Sequence, residues 1–104
     1  MVANQVSVIA TPAHLTHDAA CRIARNAQRN HAAHTFVIDL SRTSEADTAG
    51  FAQLVLLRRS LLREGRDLRL AGLRDRAQKL YEINRLHDVL PRLTDRRDAR
   101  VPAS

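Results

Sequence analysis

The run Thr35–Ile38 constrains the fold of this chain more than any other feature, because every residue in it is apolar or β-branched. A strand with no polar face is typical of the centre of a parallel sheet, where both faces are buried. Parallel strands need crossover connections, and these are usually helices. The run therefore predicts a central strand over Thr35–Leu40, followed by a polar loop and a helix.

The helix after this loop has clear start and stop signals. Asp47 predicts its start, because an N-cap carboxylate can accept hydrogen bonds from the free N–H groups of the first turn. Gly65 is suited to the left-handed C-cap and predicts its end. The hydroxyl of Thr48 then lies at the positive end of the helix dipole. It is a ready acceptor of a phosphoryl group or a recognition point for a partner; the alternative is that Asp47-Thr48 is only a helix cap.

Three strands and three helices are predicted in alternation along the single domain that this length allows. The strands span about 6–10, 35–40 and 68–72, and the helices span about 17–30, 48–64 and 75–85. This β-α-β-α-β-α order with right-handed crossovers predicts an α/β fold with a small, largely parallel or mixed sheet. The functional loops of such a sheet gather at the carboxyl ends of its strands, where Thr48 is placed.

The C-terminal part of the chain is predicted to contain two different segments. Residues 86–91 form a short extended segment that ends at Pro91. Residues 92–104 have few large apolar side chains and many charges, which is typical of a flexible basic tail.

The helix after Asp47 carries more apolar side chains than one buried face requires. Such a helix is either packed on both sides within the fold or offers a surface to a partner; we predict a docking surface and assign Phe51, Leu56 and Leu57 to it. A second copy of the chain and a different protein both remain candidates for the occupant.

Composition narrows the function classes. The net charge of +6 leaves a basic nucleic-acid-binding protein as a distant alternative, since a basic balance by itself is weak support. A single cysteine, Cys21, forms no intrachain disulfide and is predicted to be a small buried hydrophobe in a reducing cytoplasm. Neither a signal-peptide pattern nor an apolar run of about 20 residues is present, so we expect a soluble cytoplasmic protein.

No residue pattern predicts catalysis. The pairs His14/His17 and His31/His34 are each three residues apart, but no Cys, Asp or Glu completes a metal site at suitable spacing. The acidic residues stand at element ends without an acid–base pair, and three glycines provide no phosphate-binding loop. We therefore predict no enzyme, no metal and no cofactor, and a chain that acts by binding.

Several of these motifs resemble, in this order, the STAS domain of bacterial anti-sigma factor antagonists and sulfate-transporter tails. They are Val37–Ser41, Asp47–Gly50, the helix that ends at Gly65, and Leu68–Gly72. The resemblance covers roughly residues 6–91 and implies a STAS domain over 1–91. In the antagonists a partner kinase phosphorylates the hydroxyl directly after the Asp.

The resemblance places that phosphorylated or partner-binding hydroxyl at Thr48, with Asp47, Ala49 and Gly50 around it. Antagonists commonly carry Ser there, and the family usually begins with a two-stranded hairpin, of which this chain has one strand. Thr48, with the segments 38–42 and 88–92, is closer to the small STAS subunit of the Mla-type phospholipid-trafficking ABC transporter. This implies binding to the cytoplasmic ATPase subunit; the alternative is an antagonist that an anti-sigma factor kinase phosphorylates.

Overall fold

The computed structural model describes residues 5–93, and its centre is a parallel sheet of three strands in the order β1-β3-β5. The elements in chain order are β1 Val6–Ala10, β2 His14–Leu15, α1 His17–Arg29, β3 Thr35–Asp39, β4 Glu45–Ala46, α2 Thr48–Arg63, β5 Asp67–Ala71 and α3 Asp75–Ile83. The predicted α/β fold with a largely parallel sheet is confirmed, with β3 in the central position.

Burial follows the register of the sheet. Phe36 pairs with Leu68 and Ile38 with Leu70, and all four side chains are fully buried on the face that carries the core. Since side chains alternate along a strand, Val8 of β1 lies on the opposite face, where it is 64% exposed. The central strand is buried as predicted, whereas the edge strand β1 is largely open on one face.

Helix α1 has a capped start and a buried apolar face. Thr16 caps α1, since its hydroxyl accepts a hydrogen bond from the Ala19 N–H at 3.1 Å. Along α1, Ala20, Ile23 and Ala27 are buried, and the helix packs against α2. Small side chains on this stripe allow close contact between the layers.

Two features differ from the prediction. The two-residue strands β2 and β4 form a separate parallel pair, which is too short to produce any periodic pattern in the sequence. Residues 84–90 form turns and no extended segment, because Leu90 is drawn into the core and its carbonyl accepts a 2.6 Å hydrogen bond from the Tyr81 hydroxyl. Extended pairing occurs only at Arg92, which forms a parallel bridge with Leu70.

The predicted tail lies mostly outside the described residues, of which Arg92 and Leu93 are the last. Leu93 donates a backbone hydrogen bond of 2.6 Å to Leu70, so both residues are tied to the sheet. Within residues 5–93, no helix has the length and apolar character needed to cross a membrane.

Candidate functional site

The loop that leads to α2 starts in a tight turn at Asp39. The Ser41 N–H donates to Oδ1 of Asp39 at 2.9 Å, and this bond is the main reason that the pKa of Asp39 is lowered from its ordinary value. Gly72 packs against the same turn with φ +76, where a Cβ would lie 2.7 Å from the Ser41 nitrogen. The hydrogen bond and the close contact with Gly72 together fix the conformation of the turn that follows β3.

Two buried threonines anchor this loop, and nothing in the sequence identified them. The Thr43 hydroxyl donates to the Pro12 carbonyl at 2.6 Å and also contacts the Thr11 hydroxyl. The Thr11 N–H donates in turn to the Asp39 carbonyl at 3.0 Å. A threonine in a polar loop looks solvent-facing in a sequence, and only the fold shows that these two side chains are 3% and 0% exposed.

The β2–β4 pair brings the chain to the head of α2. The Asp47 N–H donates to the Leu15 carbonyl at 2.9 Å, which holds the start of α2 against β2. Gly50 is buried at this contact, and a Cβ there would lie 2.5 Å from the Leu15 carbonyl oxygen. The glycine of the Asp-Thr-Ala-Gly motif is thus a packing residue.

Asp47 occupies the N-cap position of α2, but its side chain makes no capping hydrogen bond. The prediction that its carboxylate caps the helix is therefore wrong in this structure. The N–H groups of Thr48 and Ala49 have no acceptor in the described part of the chain, and both residues are exposed. The head of α2 consequently offers two free donors and one hydroxyl to a partner.

One face of α2 continues this surface toward the C-terminal end of the helix. We call it the α2 face. Its members are all exposed; they are Thr48 and Ala49 at the head of the helix, followed at spacings of three or four residues by Ala52, Leu56, Arg59 and Arg63. Leu56 is 51% exposed. Arg59 and Arg63 make no ion pair with any of the described residues, in contrast to Arg58, which binds Asp67 at 2.8 Å.

The other two residues assigned to the docking surface are in the core. Phe51 is 1% exposed, with its ring centroid 6.2 Å from that of Tyr81, and Leu57 is 3% exposed. The number of apolar side chains on a helix does not reveal which of them a neighbouring helix buries. Helix α1 packs against α2, and Leu57 is among the side chains that are buried. Of the three assigned residues, only Leu56 is available to a partner without unfolding.

The structure also shows the surroundings of the histidine and cysteine side chains that the sequence analysis considered. His14 Nε2 lies 2.8 Å from Glu45, which also accepts a 2.6 Å hydrogen bond from Arg76. In the described ranges, no three His, Cys, Asp or Glu side chains come together as a metal-binding group. Cys21 is half-buried, contrary to the expectation of a core residue, and its Sγ lies 3.7 Å from His17 Nε2.

A parallel sheet with helices packed on it, and an Asp-Thr-Ala-Gly motif heading the helix after the central strand, define a STAS-type α/β domain. The family model described as "Mlab, STAS domain" matches residues 3–93, and the chain belongs to the STAS domain family. No curated protein matches the sequence.

Two solved structures have the same fold. The anti-sigma factor antagonist SpoIIAA in its unphosphorylated form superposes with a TM-score of 0.73 at 19% identity, covering 99% of this chain and 92% of that one. A sulfate transporter family protein from Wolinella succinogenes gives a TM-score of 0.69 at 18% identity, covering 82% of this chain and 70% of that one. At these identities the likeness establishes the fold.

Proposed function

We propose that this STAS domain acts by binding another protein through the α2 face, as an accessory subunit of the cytoplasmic ATPase in a lipid-transport ABC system. The observation that carries the proposal is the exposed, uncapped head of α2 in line with Leu56. The match to a family model described by the word Mlab supports the choice of transport system. The proposal gives the chain no chemistry of its own.

The α2 face specifies what the partner surface must provide. Near Thr48 and Ala49 it is small and neutral, so it fits a flat surface with one acceptor for the two N–H groups. Leu56 is about half exposed, and burying the rest of its side chain would contribute roughly 1 kcal/mol. Arg59 and Arg63 would pair with carboxylates of the partner at about 0.2–1 kcal/mol each.

A binding measurement with matched variants tests this proposal. The chain is titrated into the purified ATPase subunit of the lipid-transport ABC system from the same organism, and the dissociation constant is measured calorimetrically. Leu56→Glu should weaken binding at least tenfold without changing the thermal midpoint. Leu62→Glu is the control, because Leu62 is 47% exposed on the same helix but, at about 100° per residue, points about 120° away from Leu56. Wild-type affinity of Leu56→Glu would remove the α2 face from the interface, and no binding by the wild type would exclude this partner.

A second candidate function is that of an anti-sigma factor antagonist switched by phosphorylation at Thr48. It is favoured by the exposed hydroxyl beside two free N–H groups, together with the fold likeness to SpoIIAA. Intact-mass measurement of the protein purified from its native host separates the two functions. A phosphorylated fraction that disappears in Thr48→Ala would support the antagonist, and an unmodified mass under all growth conditions would contradict it.

A further inference from the structure

The free edge of β1 is a second surface of the domain, and it does not depend on the proposed function. Gln5 O accepts a hydrogen bond from the Thr35 N–H, and the Thr11 N–H donates to Asp39, so the odd-numbered residues of this segment face β3. Backbone groups of successive residues in a strand point to opposite sides. The N–H and C=O groups of Val6, Val8 and Ala10 therefore point away from the sheet.

No described residue pairs with that edge. β1 has a single strand neighbour, β3, and no hydrogen bond from residues 5–93 reaches the outward groups of Val6, Val8 or Ala10. The side chains of Val6 and Val8 are 59% and 64% exposed. An apolar edge strand of five residues is a template for another extended segment.

A groove runs beside this edge, between β1 and α1. It has a volume of about 450 Å³, and its lining includes Ile9, Thr11, Arg22, Ile23, Asn26 and Arg42. Ile9 and Ile23 make its inner part apolar, while the two arginines are exposed on its rim. Neither Arg22 nor Arg42 forms an ion pair or hydrogen bond with the described part of the chain, although the charge of Arg42 helps to lower the pKa of Asp39.

We propose that the β1 edge and this groove bind an extended, carboxylate-bearing segment of a partner protein by strand addition. The backbone of the segment would pair with Val6, Val8 and Ala10, and main-chain pairing of this kind supplies affinity while the alternating side chains supply specificity. Apolar side chains on one face of the segment would cover Val6 and Val8. Carboxylates on its other face would meet Arg22 and Arg42.

Charge decides between this occupant and a second copy of the chain. A two-fold axis through the edge would pair β1 with itself in antiparallel orientation. The segment Gln5–Thr11 contains no acidic residue, so the added strand of a second copy would bring no carboxylate to Arg22 or Arg42. The segment 94–104 is no better matched, since its three arginines outnumber its two aspartates. An extended, carboxylate-bearing segment can pair with the free backbone groups of β1 and also place carboxylates near the arginines.

The test begins with the free protein. Amide exchange of the purified chain is followed by NMR at a concentration where sedimentation shows a monomer. The amides of Val6, Val8 and Ala10 should exchange fast, because they face water. Strong protection of these amides in the monomer would show that the chain covers its own edge, and protection that appears only in a dimer would identify a second copy; either result overturns the proposal.

The second step uses two peptides with blocked ends, the acidic TEVTVEVET and its basic counterpart TKVTVKVKT, in which all charged side chains lie on the face opposite the valines. The acidic peptide should slow exchange at Val6, Val8 and Ala10 and bind at least tenfold more tightly than the basic one. In the double variant R22E/R42E this preference should reverse. The double variant R59E/R63E, with the same charge change on the α2 face, should keep the wild-type preference.

The outcomes of this second step are decisive. Acidic-peptide binding that is confined to α2, or that R59E/R63E abolishes and R22E/R42E does not, would place the acidic ligand on the α2 face and overturn the proposal. Equal binding of the two peptides would show that the arginines play no part and would overturn it as well. None of these results bears on whether the ATPase binds the α2 face.

Discussion

The carbonyl oxygen of Leu15 stands 2.5 Å from the point where a side chain at Gly50 would begin. Because this oxygen belongs to the backbone of β2, which is paired with β4, it cannot rotate away as a flexible side chain would. The contact joins the start of α2 to the segment before α1. It explains why a glycine follows Asp-Thr-Ala in this chain.

Gly50→Ala should therefore destabilise the domain, although alanine favours helices. Overpacking of a tight contact costs about 1–3 kcal/mol, against a helix-propensity gain of about 1 kcal/mol. We expect a net loss of stability of up to about 2 kcal/mol, measured by urea denaturation. Gly65→Ala is the comparison without overpacking: a Cβ there meets nothing within 4 Å, so any loss of stability comes from its φ of +78 alone. If Gly50→Ala were as stable as the wild type, β2 would have to shift at no cost to make room for the added methyl group.

Substitutions at Thr48 should change binding and leave the fold intact. A carboxylate in place of an exposed hydroxyl cannot be buried cheaply at an interface, so Thr48→Glu should weaken partner binding by roughly a hundredfold or more. Thr48→Ala, which loses one hydrogen bond of about 0.5–1.5 kcal/mol, should weaken it by up to about tenfold, and Thr48→Ser least. The unfolding free energy of all three should stay within about 0.5 kcal/mol of the wild type. If Thr48→Glu bound the partner as tightly as the wild type, Thr48 would have no role in docking.

Removing the buried hydroxyl of Thr43 should lower the free energy of unfolding more than removing an exposed hydroxyl from the same loop. Thr43→Val removes the donor to the partly buried Pro12 carbonyl, at a cost of about 0.5–1.5 kcal/mol. Ser44→Ala, in the same loop at an exposed position, should change the unfolding free energy by less than about 0.5 kcal/mol. Chemical denaturation of both variants checks the difference, and equal effects would refute the anchoring role.

Asp67 should make stability depend on acid pH. Burial raises its pKa, but the Leu68 N–H, Arg58 and Arg69 outweigh burial and hold the pKa below the ordinary value of 3.8. A depressed folded-state pKa gives stability that is present above the unfolded pKa and is lost as the pH falls through the folded one.

Asp67→Asn should accordingly be less stable than the wild type at pH 7, and the difference should shrink as the pH falls below about 4. Glu64→Gln is the matched control, because Glu64 also pairs with an arginine but its side chain is 56% exposed. Unfolding free energies measured across this pH range test the expectation. A constant difference between Asp67→Asn and the wild type would contradict it.

The sequence by itself determined the parts of this protein that depend on local patterns. The apolar run Thr35–Ile38 and the motif Leu68–Gly72 predicted two strands, and Asp47 predicted a helix start, each to within about one residue. Apolar period and capping chemistry are properties of neighbouring residues, so they can be read without knowing the fold. The position of Thr48 at the exposed head of a helix follows from the same local signals.

The tertiary structure alone decided which side chains these elements bury and which they expose. Leu56 and Leu57 are adjacent in the sequence and both line a groove beside α1, but Leu57 is 3% exposed and Leu56 is 51% exposed, because burial depends on how two helices pack. The Leu15–Gly50 contact and the Thr43 anchor likewise join segments that are about 30 residues apart or more in the chain. The missing cap bond at Asp47 and the open edge of β1 also depend on tertiary structure. Neither local pattern nor composition shows which backbone groups remain without a hydrogen-bond partner.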